Sequence, residues 1–199
     1  DSYINSSQTS LKRVLKILKL KNKEVSDQLK IYEGDLCNRN FLNMTLSEII
    51  NLYDRIDGVI HFAGLKSVEE SIINPISYWK TNVTGSTNLF EIILDKNLCK
   101  NIVFSSSASI YGKSNLEKVK ETCEIKPITP YGMTKMAVEN LLTNIYKSGP
   151  DKWKIANLRY FNPIGAHPSG LIGENPLGTP NNIFPFINQV ANNNIKELG

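Results

Sequence analysis

Two residues near the middle of the chain have the types and spacing needed for proton transfer at an alcohol. Tyr131 and Lys135 lie four residues apart and follow Pro130, a residue favoured at the first position of a helix. On a helix the phenol and the ammonium project from one face, where the cation can stabilise a tyrosinate. A tyrosine whose pKa is lowered in this way is a usable general base near neutral pH. Taken alone, the pair is weak evidence, because a solvated helix face is the commoner reason for this spacing.

A cluster of hydroxyl residues, Ser105–Ser107, directly follows the apolar run Ile102–Phe104. At the end of a strand such hydroxyls could orient a substrate alcohol or carbonyl, although a serine-rich turn would have the same composition. The cluster is followed about two dozen residues later by Pro-Tyr-x-x-x-Lys. That combination of the serine cluster with Tyr131 and Lys135 favours a catalytic site over two unrelated features.

The elements that would position these residues alternate between strand and helix. Apolar patterning predicts strands at 29–33, 58–63, 101–104 and 155–160, and helices at about 11–23, 38–53, 75–96 and 131–146, with a short last helix near 183. Repeated strand-helix-strand units are typical of a doubly wound parallel sheet, in which ligands bind beyond the carboxyl ends of the strands. The sequence therefore predicts an α/β, Rossmann-like fold. We expect residues 1–199 to be one incomplete domain, with a substrate-binding region beginning at about residue 162.

The composition argues against a membrane or nucleic-acid protein. The 199 residues are 41% hydrophobic and 21% charged, and no apolar run approaches the roughly 20 residues that span a bilayer. The basic residues between Lys12 and Lys23 lie on a helical pattern with apolar residues on its other face. No aromatics interleave with them, as a single-strand binder would require. We therefore expect neither membrane insertion nor nucleic-acid binding.

The cysteines and histidines predict neither disulfides nor a metal site. Cys37, Cys99 and Cys123 are an odd number without a CxxC pair, so reduced thiols of a cytoplasmic protein are expected. His61 and His167 have no ligand partner at useful spacing. His61 is expected to be a strand residue whose ring is hydrogen-bonded.

Several stretches resemble, in matching order, the extended, nucleotide-sugar-modifying branch of the short-chain dehydrogenase/reductase superfamily, and most closely its UDP-galactose 4-epimerase (UDP-glucose 4-epimerase) family. They are Glu33–Asp35, Val59–Lys66, Phe104–Gly112, Pro130–Lys135 and Leu158–Gly170. The resemblance implies that Tyr131 is the base, that Lys135 lowers its pKa and holds the nicotinamide ribose, and that Ser107 binds the sugar 4-hydroxyl.

The resemblance also implies a set of contacts with bound NAD. The implied residues are Asp1, Asn5, Ser6, Asp35, Leu36, Phe62, Ala63, Gly64, Lys66, Asn82, Ser105, Tyr131, Lys135, Tyr160 and Phe161. Asp1 would bind the adenosine ribose, and its carboxylate would repel a 2′-phosphate, which favours NAD over NADP. Gly64, lacking Cβ, would let the ligand approach the backbone closely. Asn82 could instead be an ordinary polar helix residue.

The implied reaction interconverts UDP-galactose and UDP-glucose. Tyr131 would take the proton of the sugar 4-hydroxyl while hydride passes to NAD, and hydride would return to the opposite face of the 4-keto sugar. Substrate contacts are implied for Lys66, Ser107, Tyr131, Asn162, Asn182 and Ile183. The resemblance further implies a homodimer in the complete enzyme.

One departure from the family pattern is large, because the chain contains no G-x-x-G-x-x-G loop for the pyrophosphate. We expect the chain to be a fragment that begins just after this loop and ends before most of the uridine site. Two other readings stay open: a nucleotide-sugar dehydratase or decarboxylase, and a non-catalytic module that lacks the cofactor loop. Ser107 is followed by Ala108-Ser109 and not by an Asp-Glu pair, which favours the epimerase over elimination chemistry.

Overall fold

The computed structural model describes residues 1–4, 6–21, 29–114, 117–149, 152–174 and 183–197. Three strands and seven α-helices are defined in this part of the chain. In order they are α1 (Gln8–Lys21), α2 (Arg39–Tyr53), β1 (Val59–His61), α3 (Val68–Ile73), α4 (Pro75–Tyr78), α5 (Gly85–Asp95), β2 (Asn101–Ser107), α6 (Pro130–Lys147), β3 (Lys154–Tyr160) and α7 (Ile183–Ala191). A π-helical turn, Trp79–Thr84, joins α4 to α5, and a 3₁₀ turn, Ala108–Tyr111, follows β2.

The three strands form a parallel sheet in the order β1-β2-β3. His61 pairs in register with Phe104, and Ser107 pairs with Tyr160. The carboxyl ends of all three strands therefore lie at the same edge of the sheet. Helices α3 to α5 connect β1 to β2, and α6 connects β2 to β3, as expected for parallel strands. The predicted α/β class with a parallel sheet is confirmed.

One face of the sheet is buried by helices and the other is open. Side chains alternate along each strand, so that Ile102 and Phe104 of β2 are 1% exposed, whereas Ile60 of β1 is 67% exposed. On the buried face β2 packs into a core built mainly from α2, α5 and α6. The buried members of this core are Leu42, Leu46, Leu89, Phe90, Ile92, Ile93, Cys99, Ile102, Phe104, Val138, Leu142, Ile145 and Trp153. This core fixes α6, which holds Tyr131 and Lys135, against the middle strand.

The strand predicted at 29–33 is wrong. Residues 29–33 form no strand, and the neighbouring Gly34 N–H donates to the Asp1 carbonyl oxygen at 2.9 Å. A strand requires a neighbour for its ladder of hydrogen bonds, and the described chain pairs none with this segment. The other predicted strands are present, but β2 continues through Ser107 instead of ending at Phe104.

The single helix predicted over 75–96 is divided in the structure. It consists of α4, the π-helical turn and α5, and it is preceded by the short helix α3. A π-turn contains one more residue per turn than an α-helix, and such turns occur often at functional sites. The turn contains Asn82, one of the implied cofactor residues.

The chain divides into two compact units. One consists of Asp1 and Gly34–Phe161, and the other of Ser2–Glu33 and Asn162–Gly199. The first unit contains the sheet, α2 to α6 and the three residues predicted to be catalytic. The second contains α1 and α7. The expected domain division, with a substrate region from about 162, stays a prediction.

Candidate active site

The beginning of α6 places Tyr131 beside the end of β2. Thr129 caps the helix by accepting a hydrogen bond from Gly132 N–H at 3.2 Å, and Pro130 occupies the first turn. A Cβ on Gly132 would lie 2.7 Å from the Ser109 carbonyl oxygen. Glycine at this position therefore lets the first turn of α6 approach the 3₁₀ turn that follows Ser107. The Thr-Pro-Tyr-Gly sequence thus determines both where the helix begins and how closely it packs.

Ser107 and Tyr131 form the centre of the site. Ser107 is the last residue of β2 and is 9% exposed, and Tyr131 is 8% exposed. Burial raises the pKa of the Tyr131 phenol, and a side-chain hydrogen bond with Ser107 partly opposes that rise. The Ser107 hydroxyl also accepts from Ser109 N–H at 3.1 Å and lies 3.1 Å from the Ser109 hydroxyl. The serine and tyrosine predicted from their spacing are thus in direct contact.

Lys135 lies in the same site, with its ammonium bonded to the backbone of β2. Its ammonium donates to the Ser105 carbonyl oxygen at 2.7 Å and lies 5.8 Å from the Tyr131 ring centroid. Burial lowers the pKa of Lys135 to about 8. Burial raises the pKa of Tyr131, and the Ser107 hydrogen bond opposes that rise. Burial of the phenol therefore dominates the Tyr131 pKa here, and the role of Lys135 in lowering that pKa stays a prediction.

Asn82 ties three elements of the site together. It is 3% exposed, and its Oδ1 accepts from Leu65 N–H at 2.7 Å. Its Nδ2 donates to the Leu65 carbonyl at 3.0 Å and to the Thr134 hydroxyl at 3.1 Å. The amide thus clamps the turn after β1 and links it to α6. The structure shows these backbone and hydroxyl contacts for Asn82 where the sequence predicted a cofactor contact.

Gly64 has a backbone conformation and surroundings that favour glycine. Its φ is 152°, a conformation that favours glycine, and a Cβ there would lie 2.9 Å from Asn82 Oδ1. The same Cβ would lie 3.9 Å from the Lys135 ammonium. Glycine therefore makes room for the Asn82 side chain beside Lys135, and its expected role of letting a ligand approach the backbone stays a prediction.

His61 is a satisfied buried residue, as predicted. It is 3% exposed, and its Nε2 lies 2.7 Å from the Ser86 hydroxyl, which in turn donates to the Asn82 carbonyl at 2.5 Å. Burial, and to a lesser extent the charge of Lys135, lowers the pKa of His61 to about 4. The imidazole is therefore neutral near physiological pH and is not a proton donor for the site.

A buried ion pair behind the site was missed by sequence analysis. Glu139 of α6 bonds with Arg159 of β3 at 2.8 Å and accepts from the Ser106 hydroxyl at 2.5 Å. The Arg159 guanidinium also donates to the Tyr111 hydroxyl at 2.8 Å and to the Glu121 carbonyl at 2.9 Å. Hydrogen bonding to Glu139 raises the pKa of Arg159. The spacing of Glu139 four residues after Lys135 was the available signal, since it places both on one face of α6.

Exposed aromatic residues lie where β1 and β3 end. Phe62 directly follows β1, Tyr160 ends β3, and their rings stack with centroids 6.4 Å apart. Phe161 is 66% exposed, and Ala63 and Lys66 are exposed as well. These residues were predicted to line the cofactor, and they present flat apolar surface beside the Ser105–Ser107 segment.

The remaining predicted residues make other contacts, belong to the second unit, or lie outside the described residues. Asp35 is exposed and accepts from Cys37 N–H at 2.8 Å, while the Leu36 carbonyl accepts from Asn88 at 3.1 Å. The Asp1 carbonyl bonds to Gly34. Ser6, Asn162 and Ile183 belong to the second unit. Asn5 and Asn182 lie outside the described residues.

The described residues were also considered as ligands for a metal ion and as membrane-spanning helices. No group of three or more His, Cys, Asp or Glu side chains in the described ranges could hold a metal ion. Among the same residues, no helix has the length and apolar character needed to cross a membrane.

Comparison with known proteins identifies relatives over the whole chain. A UDP-glucose 4-epimerase of Yersinia enterocolitica is 46% identical over 199 residues, which is all of this chain and 55% of that protein. UDP-glucose 4-epimerase 2 of Arabidopsis thaliana is 44% identical, covering 96% of this chain and 51% of the relative. The chain thus spans about half the length of these relatives.

Solved structures agree with the sequence matches. A UDP-glucose 4-epimerase from Stenotrophomonas maltophila, with bound NAD and formylated UDP-arabinopyranose, superposes with a TM-score of 0.86 at 39% identity. It is matched over 100% of this chain and 55% of its own, which confirms the Rossmann-like fold. The family model described as GDP-mannose 4,6 dehydratase matches residues 2–199. The chain therefore belongs to the GDP-mannose 4,6 dehydratase family of extended short-chain dehydrogenases/reductases, within which it is similar to the UDP-glucose 4-epimerases.

Proposed function

We propose that the full-length protein containing this chain is an NAD-dependent UDP-glucose 4-epimerase that interconverts UDP-galactose and UDP-glucose. The observation that most directly supports this proposal is the Ser107–Tyr131 hydrogen bond at the carboxyl end of the middle strand. With Lys135 beside them, these residues provide a hydroxyl to hold a sugar alcohol and a phenol to take its proton. The similarity of this chain to two UDP-glucose 4-epimerases supports UDP-sugars as the substrate class.

The residues present fit NAD as the cofactor. Lys135 and Tyr131 offer a cation and a phenol that can bond to the hydroxyls of the nicotinamide ribose, and Phe62 and Phe161 offer exposed apolar surface for the ring. The Asp1 carboxylate would disfavour the 2′-phosphate of NADP. Related structures from Stenotrophomonas maltophila and Bifidobacterium longum contain NAD. When bound, NAD would accept hydride from C4 of the sugar and return it.

The chain's own residues would control the proton. Ser107 would hold the 4-hydroxyl, and the Tyr131 phenolate would remove its proton while C4 is oxidised, leaving a 4-keto sugar. Tyr131 would then return the proton to the same oxygen after the ketone has turned over, so the phenol ends as it began. Lys135, held by the Ser105 carbonyl, would place a positive charge near the developing phenolate and the ribose.

Dehydration is the alternative that the description of the matching family model favours. It would begin with the same oxidation but would need a further acid or base to eliminate water. The positions that follow Ser107 are Ala108 and Ser109, and the Ser109 hydroxyl bonds to Ser107. Glu139, the buried carboxylate of α6, is paired with Arg159 and Ser106. Neither hydrogen bond described for the Ser107 hydroxyl with Ser109 involves a carboxylate, which supports epimerisation over elimination.

We also propose that the full-length protein is a cytoplasmic homodimer. Exposed apolar residues on α3, α4 and α6 could be covered by a second copy; they include Ile72, Ile73, Ile76 and Met133, which are 62%, 76%, 82% and 38% exposed. All three cysteines are free thiols, which supports a reducing compartment.

The decisive experiment follows the products of UDP-galactose by NMR in the full-length protein. We expect conversion to UDP-glucose with no net formation of NADH, because one proton and one hydride leave and return within the site. A 4-keto-6-deoxy sugar would show dehydration instead. Carbon dioxide released from UDP-glucuronate would show decarboxylation, and either result would overturn the proposal.

A further inference from the structure

Thr134 occupies a central position between the two predicted catalytic residues of α6. Its side chain is fully buried, with 0% exposure. The hydroxyl donates to the Tyr131 carbonyl oxygen at 2.7 Å and accepts from Asn82 Nδ2 at 3.1 Å. Both hydrogen-bonding functions of the hydroxyl are therefore used, and both partners belong to the site.

The Thr134 bonds complete a link between two ends of the site. Asn82 holds Leu65 through both the N–H and the carbonyl of that residue, at 2.7 and 3.0 Å. The link therefore runs from the turn after β1, through the π-helical turn, to the first turn of α6. The first turn of a helix is its least constrained part, because its N–H groups have no intrahelical partners. An added bond to the Tyr131 carbonyl restrains this turn where the phenol must meet Ser107.

We propose that Thr134 is a positioning residue, whose hydroxyl holds the backbone of Tyr131 in register with Ser107 through Asn82. This inference rests on the proposed epimerase function. Catalytic groups must be held within about 0.5 Å of the productive geometry, which requires partners beyond the reacting groups. Thr134 touches neither reacting group of the proposed reaction, so it acts through Tyr131.

The hydroxyl and the methyl of Thr134 can be tested separately. Thr134→Val keeps the shape of the side chain but removes the bonds to Tyr131 and Asn82. Thr134→Ser keeps the hydroxyl but removes a buried methyl. In Thr134→Val, one Asn82 N–H loses its partner, while both bonds from Asn82 to Leu65 can persist. The turn after β1, beside the proposed cofactor site, therefore keeps both of its hydrogen bonds to Asn82.

The experiment measures kcat and KM for UDP-galactose, together with retained NAD and Tm, in the full-length protein. Thr134→Val should lower kcat about tenfold, as expected for a small misplacement of a catalytic group, with KM and bound NAD near wild type. Thr134→Ser should restore kcat even though its lost methyl lowers Tm. The matched control is Thr143→Val, since Thr143 donates a similar bond to the Glu139 carbonyl at 2.8 Å later in α6. Its kcat should remain at the wild-type value.

Two results would overturn the inference while leaving the proposed function standing. One is a wild-type kcat for Thr134→Val in a protein that Tyr131→Phe inactivates. The other is a kcat for Thr134→Ser as low as that for Thr134→Val, since side-chain shape and not the hydroxyl would then be decisive. A wild-type protein unable to convert UDP-galactose would overturn the proposed function and this inference with it.

Discussion

Tyr131 experiences two opposing influences on the pKa of its phenol. Burial raises the pKa, because charge is less stable away from water, and the Ser107 hydrogen bond lowers it. Lys135 directs its ammonium to the Ser105 carbonyl. Ser107 is therefore the residue whose hydrogen bond opposes the rise in the Tyr131 pKa, as well as the one proposed to hold the substrate.

Removing the Tyr131 hydroxyl should lower turnover without releasing bound NAD. In the full-length protein, Tyr131→Phe should lower kcat for UDP-galactose by about 10²–10⁴-fold, the range for a lost general base, while NAD stays bound. Turnover and NAD released after denaturation are the measurements. Tyr146→Phe is a suitable control, because Tyr146 lies on the same helix and is 45% exposed. Equal turnover in the two variants would contradict the assignment of Tyr131 as base.

At individual residues, sequence spacing predicted contacts better than it predicted electrostatics. The Ser107–Tyr131 contact followed from the motif because a strand end and a helix start were both recognisable. The direction of the Tyr131 pKa could not be predicted in the same way, because burial depends on packing between distant elements. Asn82 was selected from the motif, but its bonds to Leu65 and Thr134 depend on the π-helical turn. That turn has no clear signature in the sequence.

Among the elements, α6 has the largest role in building the site. Its first turn places Tyr131, its second places Lys135, and its third places Glu139 against Arg159 of β3. The apolar pattern predicted this helix and the strands at 58–63 and 155–160, because each has a regular buried face. It did not predict that β2 continues through Ser107. There the polar residues remain in the strand because β3 pairs with them, Ser107 with Tyr160.

The buried Glu139–Arg159 pair should contribute far more to stability than a surface pair. Glu139→Ala should lower the free energy of unfolding by about 3–5 kcal/mol, because Arg159 is left as a buried charge without its partner. The matched control is Glu91→Ala, which removes the Arg39–Glu91 pair, 2.6 Å long with side chains 50% and 43% exposed. That change should cost at most about 1 kcal/mol. Urea unfolding of the full-length variants measures both losses, and equal losses would show that burial of the pair is unimportant.

At the scale of the whole molecule, the proposed catalytic residues are brought together more completely than the residues proposed to surround the cofactor. The cluster of Ser107, Tyr131, Lys135 and Asn82 is assembled within residues 34–161. The open sheet face includes Ile60 and Phe62, at 67% and 62% exposure. The chain spans 51% to 55% of the length of the two epimerase relatives described above. Composition and periodicity could predict the fold class, but the segment 29–33 shows that a strand cannot be predicted without knowing its partner.

The 199-residue chain by itself should bind NAD poorly compared with the full-length protein. Pyrophosphate is usually held by a glycine-rich turn at a helix N-terminus, and residues 1–199 contain no G-x-x-G-x-x-G sequence. The exposed apolar face of the sheet should also bind a hydrophobic dye, which would report surface left uncovered in the isolated chain. Calorimetry should therefore give a Kd for NAD weaker than about 1 mM, corresponding to less than about 4 kcal/mol of binding free energy. The full-length protein, measured alongside, should retain NAD through purification. Micromolar binding by the 199-residue chain would mean that the residues around Lys135 and Phe62 hold the cofactor without a glycine-rich turn.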